Sequence, residues 1–473
     1  MTKTIGKWCA AAMALAVLAA GAGAAWGQDD WSGESSPWTA GPPLPGELTL
    51  GAVPGDGGPG ADLAGRVEEL EAAMKKAADK EAEAKAKAAG KPTVSVSGRA
   101  FLDTVNFNQN AASRAALGDA QDTLFFRTAR LQAEGDMFDV FSYRFEMDFS
   151  ARDQGDLTRT AFKDVYLKIK ELPILGNVQV GHFKEPFSLE ELESNRYTTF
   201  MERGLPIAFV HGRDPGLMAF DCTENERATW AVGMFRRAVD TPPLAAGDDH
   251  GLGVTARVTW LPWYDEASDG AGLIHLGAGY GFHDVSNPVQ RIQARPEVAI
   301  GPQVADTGIF GGVQNYQVFG PEFAFVYGPL SIQSEWIGTL YQRSGAASAS
   351  FSGYYVYASY FLTGEHRAYR RSDGRFDRVR PLENFLRVRD GDGDVRTGRG
   401  AWEIAYRYSN VNLDDPDAAI LGGMAGDHTI GVNWYLNPYM RIMWNYIHTD
   451  ADTRNNGPNV PMDIFAMRAQ FDF

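Results

Sequence analysis

The last eleven residues of the chain, DIFAMRAQFDF at positions 463–473, carry the pattern that decides the fold class. If this stretch is a β-strand, its residues alternate between two faces. One face holds aromatic and other apolar side chains: Phe465, Met467, Ala469, Phe471 and Phe473. The other holds Ile464, Ala466, Arg468, Gln470 and Asp472. A soluble sheet would bury the aromatic face, whereas a membrane barrel turns it toward lipid and keeps the polar face toward its lumen.

The same alternation returns along most of the chain. Residues 141–149 (FSYRFEMDF) and 402–409 (WEIAYRYS) are two further examples. Alternation alone fits a soluble sandwich as well as a barrel, but about sixteen such stretches from residue 93 onward exceed what a two-sheet domain needs. The sequence therefore predicts an all-β protein that forms a transmembrane antiparallel β-barrel of about 16 strands.

The predicted connections alternate between short turns and long loops, as they do in bacterial barrels. The long loops include residues 186–211 and 285–315. One long connection, residues 364–398, falls among the short periplasmic turns by strand count and breaks this rule.

Composition excludes several classes of protein. The chain has 473 residues and a net charge of −16. Beyond the N-terminal region, no apolar run reaches the roughly 18 residues of a membrane-spanning helix. The acidic balance argues against a nucleic-acid partner. Only Cys222 lies outside the N-terminal leader, so no disulfide within the mature chain is predicted.

The N-terminal ninety residues divide into three predicted segments. Residues 1–27 have the basic start, apolar centre and small-residue cleavage site of a signal peptide. Residues 28–60 are rich in Gly, Pro and Ser and predict a disordered linker. Residues 61–90 place apolar side chains at the spacing of a short coiled-coil stalk, with a solvated single helix as the alternative. The barrel domain is predicted to span residues 91–473.

Four separated blocks of the barrel region resemble the phosphate-selective porin O and P family. The first is GHFKEPFSLEELESNRYTTFMERGLP, residues 181–206. The second and third are GYYVYASYFLTGEHRAYRRSDGRFDRVRPLENF, residues 353–385, and GAWEIAYRYSNVNL, residues 400–413. The fourth is GDHTIGVNWYLNPYMRIMWNYIHTD, residues 426–450. The resemblance spans roughly residues 93–473.

This resemblance implies an outer-membrane porin that assembles as a homotrimer in outer-membrane lipid. It implies passive diffusion of small anions, with phosphate or polyphosphate as the suspected solute. It also implies that a long periplasmic turn folds into the lumen, which would account for the connection 364–398.

Basic residues near a pore constriction are the candidates for anion selectivity. The loop 186–211 and its ends offer Lys184, Arg196, Arg203 and Arg213. Arginine suits oxyanions because its planar fork donates two hydrogen bonds at once. The alternative is that these residues pair with neighbouring glutamates and hold the loop. The strand residues assigned to the lumen carry both signs of charge in similar numbers, Arg130 and Arg468 among them.

Two further groups of arginines are candidates. The loop 285–315 carries only Arg291 and Arg295, fewer than the basic ladder that the family resemblance implies. The inward-folding turn is richer, with Arg367, Arg370, Arg371 and Arg375. These arginines either attract anions or pair with acids of the wall as part of a plug.

Other functions find little support in the sequence. None of the eight histidines lies in a catalytic or zinc-binding motif, so neither an enzyme nor a cofactor is predicted. The segment DGDGD at residues 390–394 begins like a calcium loop, but its twelfth position is Ala401, so an acidic turn is favoured and no metal site is predicted. A protein that tethers the envelope through the stalk is the second hypothesis.

Overall fold

The architecture is a closed barrel of sixteen strands in which neighbours along the sequence pair antiparallel. It is seen in a computed structural model that describes residue 75 and residues 91–150, 161–236, 251–389, 395–455 and 457–473. The predicted signal peptide, linker and stalk lie outside these residues, apart from residue 75. The strands are β1 Ser95–Gln109, β2 Thr123–Met137, β3 Phe141–Asp148, β4 Ala161–Leu172, β5 Gly176–Lys184, β6 Arg213–Cys222, β7 Ala228–Arg236, β8 Leu252–Tyr264, β9 Gly272–Asp284, β10 Val313–Tyr327, β11 Leu330–Arg343, β12 Ala349–Phe361, β13 Ala401–Asp415, β14 Ile420–Asn437, β15 Met440–Asp452 and β16 Asn459–Asp472.

The terminal strand closes the barrel. β16 pairs with β1, and Arg468 stands opposite Asp103 in their register. The predicted faces of β16 are confirmed, because Phe465 and Phe471 are about half exposed on the outside while Ile464 and Ala466 are fully buried inside. Outward aromatic residues and inward polar or small residues are what a lipid-facing wall requires.

The connections follow the predicted alternation. Short turns such as residues 138–140, 328–329 and 438–439 lie at one end of the barrel. Loop 3 (residues 185–212) and loop 5 (residues 285–312) lie at the other end. The exception is again the connection between β12 and β13, residues 362–400, which leaves the short-turn end of the barrel and is called the inward turn below.

Loop 3 crosses the inner wall of the barrel and contains two short helical segments, Leu189–Leu192 and Leu205–Phe209. The first is held at its start by Glu335 of β11, whose carboxylate accepts the backbone N–H groups of Leu189 at 3.0 Å and Glu190 at 2.8 Å. Farther along, Asn433 and Arg441 donate to the carbonyls of residues 199 and 198, each at 2.8 Å. Backbone groups of an inward-folded loop need such partners, since few waters reach them.

Loop 5 and the inward turn add to this filling. Loop 5 contains the paired segments Gln293–Ala294 and Ala305–Asp306, and its Ile292 and Phe310 join a buried apolar cluster on the inner wall. The inward turn contains the paired segments Tyr369–Arg370 and Arg375–Phe376. The Tyr369 hydroxyl lies 2.6 Å from Nδ1 of His275 on β9, so this turn enters the lumen, as the resemblance implied.

The two sides of the lumen are therefore filled to different extents. On the inner face of β11 and β13–β15, the polar side chains of Gln333, Glu403, Asn433 and Asn445 have no exposed surface. We call the inner face of β9–β15 the filled side. On β2 and β3, the side chains of Arg127 and Arg144 keep about a third of their surface exposed. We call the inner face of β2–β6 the open side.

Smaller elements lie in the connections. The helix Ala111–Leu117 lies in the loop after β1, and the paired segments Leu386–Arg389 and Val395–Gly398 lie in the inward turn. Single-turn 3-10 helices are found at Glu266–Ser268, Arg371–Asp373 and Pro416–Ala418. No helix within the described ranges combines the length and apolar character of a membrane span.

Candidate functional site

A basic pocket lies between loop 3 and the inner wall formed by β1, β2, β5, β6 and β16. Its cations come from five strands and the loop: Arg99, Arg127, Arg130, Lys184, Arg203, Arg213 and Arg468. Among the described residues that line the pocket, Glu202 of loop 3 is the one carboxylate. These side chains converge only because loop 3 folds inward against the strands that close the barrel. We call this site the arginine pocket.

An irregularity in β2 brings two of these arginines to the same face. Phe126 and Leu131 are both exposed on the outside of the barrel, although they are five positions apart, an odd spacing that regular alternation would place on opposite faces. The two-residue period is therefore shifted by one position between them. Arg127 and Arg130, which regular alternation would place on opposite faces, both line the pocket as a result.

Carboxylates that do not line the pocket fix the guanidinium groups from behind. Arg130 lies 2.7 Å from Asp148 and 3.1 Å from Glu146, which also pairs with Arg99. Arg213 of β6 lies 2.7 Å from Asp164 of β4. Such pairs order the long side chains and leave their remaining N–H groups available to the pocket.

Two of the cations hold loop 3 as well as lining the pocket. Arg203 donates to the backbone carbonyls of Glu190 at 2.8 Å and Glu191 at 3.0 Å. Lys184 donates to the carbonyl of Glu193 at 3.1 Å and pairs with the Glu191 carboxylate at 3.3 Å. Burial opposes ionisation of Glu191, but Arg203 and Lys184 lower its pKa. These contacts fasten loop 3 to the inner wall beside the pocket.

Glu202 is bound by two arginines from different strands. Arg127 donates Nε to Oε1 at 2.6 Å and Nη2 to Oε2 at 2.9 Å, and Arg468 donates Nη2 to Oε1 at 2.8 Å. Burial alone would raise the pKa of Glu202, but Arg127 and Arg468 lower it to about 2. Glu202 therefore remains an anion at any physiological pH.

The pocket has room and free donors for a small anion. Its volume is about 70 Å³, which is space for several waters, since one water needs roughly 10–15 Å³ on this measure. Nε of Arg99 is buried and, within the described part of the chain, has no hydrogen-bond partner. A buried donor of this kind favours an oxygen-rich ligand.

The candidates from loop 3 and its ends lie in or beside the pocket. Lys184, Arg203 and Arg213 line it. Arg196 stands next to it, 3.7 Å from Asp472 and with its guanidinium over the ring of Tyr197. The two loop-5 candidates are elsewhere, since Arg291 pairs with Asp306 at 2.5 Å and Arg295 is exposed on the loop.

The arginines of the inward turn all have partners. Arg367 is buried and donates to Gln333 at 2.8 Å and to Glu193 at 3.2 Å. Arg371 pairs with Glu226 and Glu266 of two short turns. Arg370 pairs with Asp377, and Arg375 pairs with Asp373, so these two pairs lie within the turn itself. Whether these arginines attract anions or belong to a plug stays a prediction.

The sequence does not single out Arg99, Arg127, Arg130 or Arg468 as selectivity residues. It assigns Arg130 and Arg468 to the lumen, where charges of both signs occur in similar numbers. What distinguishes these arginines is their position. They line the pocket, whereas the acids paired with them, apart from Glu202, do not. That distinction depends on pairing across strands, which a single sequence does not display.

Comparison with known proteins now identifies the family. The family model described as phosphate-selective porin O and P matches residues 94–473, which include all sixteen strands of the barrel. The chain belongs to this porin family. It is therefore an outer-membrane porin, and the sixteen-stranded barrel and the inward loop 3 are the parts of a channel. Porins of this fold conduct solutes rather than transform them.

Individual relatives agree with this assignment. Porin O of Pseudomonas aeruginosa is 26% identical over 398 residues, which cover 75% of this chain and 83% of that protein. An uncharacterized protein of Caulobacter vibrioides is 26% identical over 364 residues, or 73% of this chain and 68% of that protein. The outer membrane channel DcaP of Acinetobacter baumannii shares the fold at a TM-score of 0.50 and 13% identity, covering 81% of this chain and 97% of that one.

The described part of the porin contains no cluster of three His, Cys, Asp or Glu side chains arranged to hold a metal ion. The calcium-like segment 390–394 lies outside the described residues.

Proposed function

We propose that this porin passes small oxyanions by diffusion through the arginine pocket, with phosphate as the foremost candidate. The observation that carries the proposal is the lining of the pocket, where seven cations face one carboxylate. Arginine forks match the oxygens of phosphate and similar anions better than lysine ammonium groups do. The family description and the name of the Pseudomonas relative support this solute class.

The net charge of −16 does not oppose anion passage. Selectivity is set where the pore is narrow, because low-dielectric walls concentrate the field of the few groups that line it. Of the charged groups described, those at the arginine pocket are predominantly positive, while several acids of the inner wall are paired with arginines, as Asp148 is with Arg130, Asp164 with Arg213 and Glu322 with Arg257. A field of one sign at the narrow point favours anions regardless of the sum over the chain.

Reconstitution in planar bilayers tests the proposal. With a steep KCl gradient across the membrane, we expect the reversal potential to have the sign of chloride preference. Added phosphate is expected to reduce the chloride current, because it competes for the same arginines. A cation-selective reversal potential would contradict the proposal.

We further propose that the porin works as a homotrimer, and the outer surface supports this. A row of polar side chains crosses four adjacent strands at one level: His428, His448, Asp463 and Asn108. His448 is hydrogen-bonded to Asp463 at 2.7 Å. All four point away from the lumen and are exposed or half-buried. We call this the polar row.

The depth of the polar row explains why it needs a cover. Trp434, part of a stacked aromatic group with Trp402 near the short-turn end, lies six residues after His428 on the outer face of β14. At about 3.4 Å per residue and a tilt of about 40°, the row stands roughly 15 Å above that aromatic level, within an apolar band about 25 Å tall. Polar groups facing lipid at that depth are unfavourable, so a second copy of the chain is the expected cover.

The double variant His448→Leu and Asp463→Leu tests this interface. We expect the trimer to weaken to smaller species, because the row loses its hydrogen bonds to a partner. Light scattering on a sizing column in mild detergent measures the change. Leu276→Val, on the outer face of β9, is the control and should leave the trimer intact. A wild-type protein that is monomeric under these conditions would disprove the interface.

A further inference from the structure

We propose that Glu202 is a tethered counter-anion that competes with the transported anion for the arginine pocket and so sets its affinity. This inference rests on the oxyanion function proposed above. Glu202 is, among the described lining residues, the single carboxylate, and it sits where the cations of β2 and β16 meet. Its two oxygens take up three N–H donors of Arg127 and Arg468. An oxyanion in the pocket would use the same donors.

The contacts of the two arginines indicate that Glu202 is replaceable. Arg468 is fixed independently of Glu202, since it donates to Asp103 through two bonds of 2.7 Å and to the Met201 carbonyl at 2.6 Å. Arg127 has about a third of its side chain exposed to the pocket. An incoming anion can therefore take over the fork of Arg127 while Arg468 stays in place.

Competition of this kind matches what a channel requires. Seven cations around a small pocket would hold a divalent oxyanion long enough to block conduction, because several charge-assisted hydrogen bonds act together. A pore conducts only when its sites are attractive enough to enter and weak enough to leave. A carboxylate on loop 3 that rebinds the arginines as the solute departs shortens the solute's stay.

Glu202 differs in its position from Glu190, Glu191 and Glu193 of the same loop. Glu190 pairs with Arg407 of the filled side at 2.9 Å, and Glu193 pairs with Arg367 of the inward turn at 3.2 Å. Glu191 pairs with Lys184 and Arg203 but does not line the pocket. These three acids fasten the loop, whereas Glu202 faces the space.

The test compares Glu202→Gln with Glu193→Gln, because both remove one carboxylate from loop 3, and Arg367, the partner of Glu193, does not line the pocket. Single-channel chloride current is measured against added inorganic phosphate. We expect Glu202→Gln to lower the half-blocking phosphate concentration by at least about fivefold, the size expected for one like charge removed nearby. It should also shift the KCl reversal potential further toward chloride than Glu193→Gln does.

Each other outcome is decisive. Equal shifts in the two variants, or looser phosphate block in Glu202→Gln, would mean that Glu202 only fastens the loop. A cation-selective wild type would overturn the oxyanion function and this inference together, whereas an anion-selective wild type with equal variants would overturn this inference alone.

Glu202→Asp is the second variant, for the case in which the Gln protein does not assemble. It keeps the charge but shortens the side chain by one methylene group, so its carboxylate can no longer hold both arginines. Competition predicts a half-blocking concentration below that of the wild type. A value equal to or above the wild type contradicts the inference.

Discussion

Replacing Arg99 and Arg127 together by glutamine is expected to abolish the chloride preference of the porin and to weaken phosphate block by about 100-fold or more. The estimate assigns roughly 1.5–3 kcal/mol to each hydrogen bond from a charged donor. Both residues line the arginine pocket, and Arg99 carries the buried Nε that lacks a partner within the described residues. The measurements are the reversal potential in a KCl gradient and the chloride current during phosphate titration.

The two positions are suited to this experiment because the wall tolerates their loss. Glu146 keeps Arg130 as a partner when Arg99 is removed, and Glu202 keeps Arg468 when Arg127 is removed. No carboxylate is left buried without a cation. The matched control is Arg291→Gln with Arg371→Gln, which removes the same charge from loop 5 and the inward turn. A reversal potential that moves equally in both proteins would show that the arginine pocket does not set selectivity.

Arg468→Met is expected to destabilise the barrel by about 3–5 kcal/mol, the usual result of removing one partner from a buried ion pair. Arg468 joins the last strand to the first, since its two bonds of 2.7 Å reach Asp103 across the closing seam. Both side chains are almost completely buried. The variant leaves Asp103 as an uncompensated buried charge and frees the Met201 carbonyl of loop 3.

Loss of the heat-resistant folded band on semi-native gels at a lower temperature than in the wild type measures this effect. The control is the double variant Asp103→Asn and Arg468→Met, which removes both charges and should recover much of the stability. If the single and double variants melt alike, the ion pair is not what holds the seam.

Most of the barrel could be predicted from the sequence because the alternation of outward and inward residues is visible within each strand. The two-residue period of β16 identified both faces correctly, and the strand count placed the unusual connection at the short-turn end. A lipid-facing wall must repeat this pattern on every strand, so each strand carries its own evidence. The family resemblance of four sequence blocks implied in addition that the connection 364–398 folds into the lumen.

The arginine pocket was only partly predictable because its cations come from five strands and loop 3, which are far apart in sequence. Lys184, Arg203 and Arg213 line the pocket and are candidates from the sequence, since they lie in or beside a long loop of recognisable sequence. Arg127 is not, because a one-residue shift within β2 reverses the face that regular alternation would give it, and Arg130 is assigned to the lumen without being singled out from the other charges there. The candidates of the inward turn stay a prediction, because partners such as Glu226, which pairs with Arg371, are too distant in sequence to be recognised.

The contrast between the filled and open sides of the lumen has a consequence for how members of such a family diversify. Lumen-facing positions on β11 and β13–β15 behave like the interior of a soluble domain, where most substitutions cost stability. Exposed lumen-facing positions on β2 and β3, such as Arg127 and Arg144, are less constrained by packing and can change with the solute instead. Mutations that alter the cargo can therefore accumulate on one wall while the opposite wall conserves the fold, so that new permeabilities arise without rebuilding the protein.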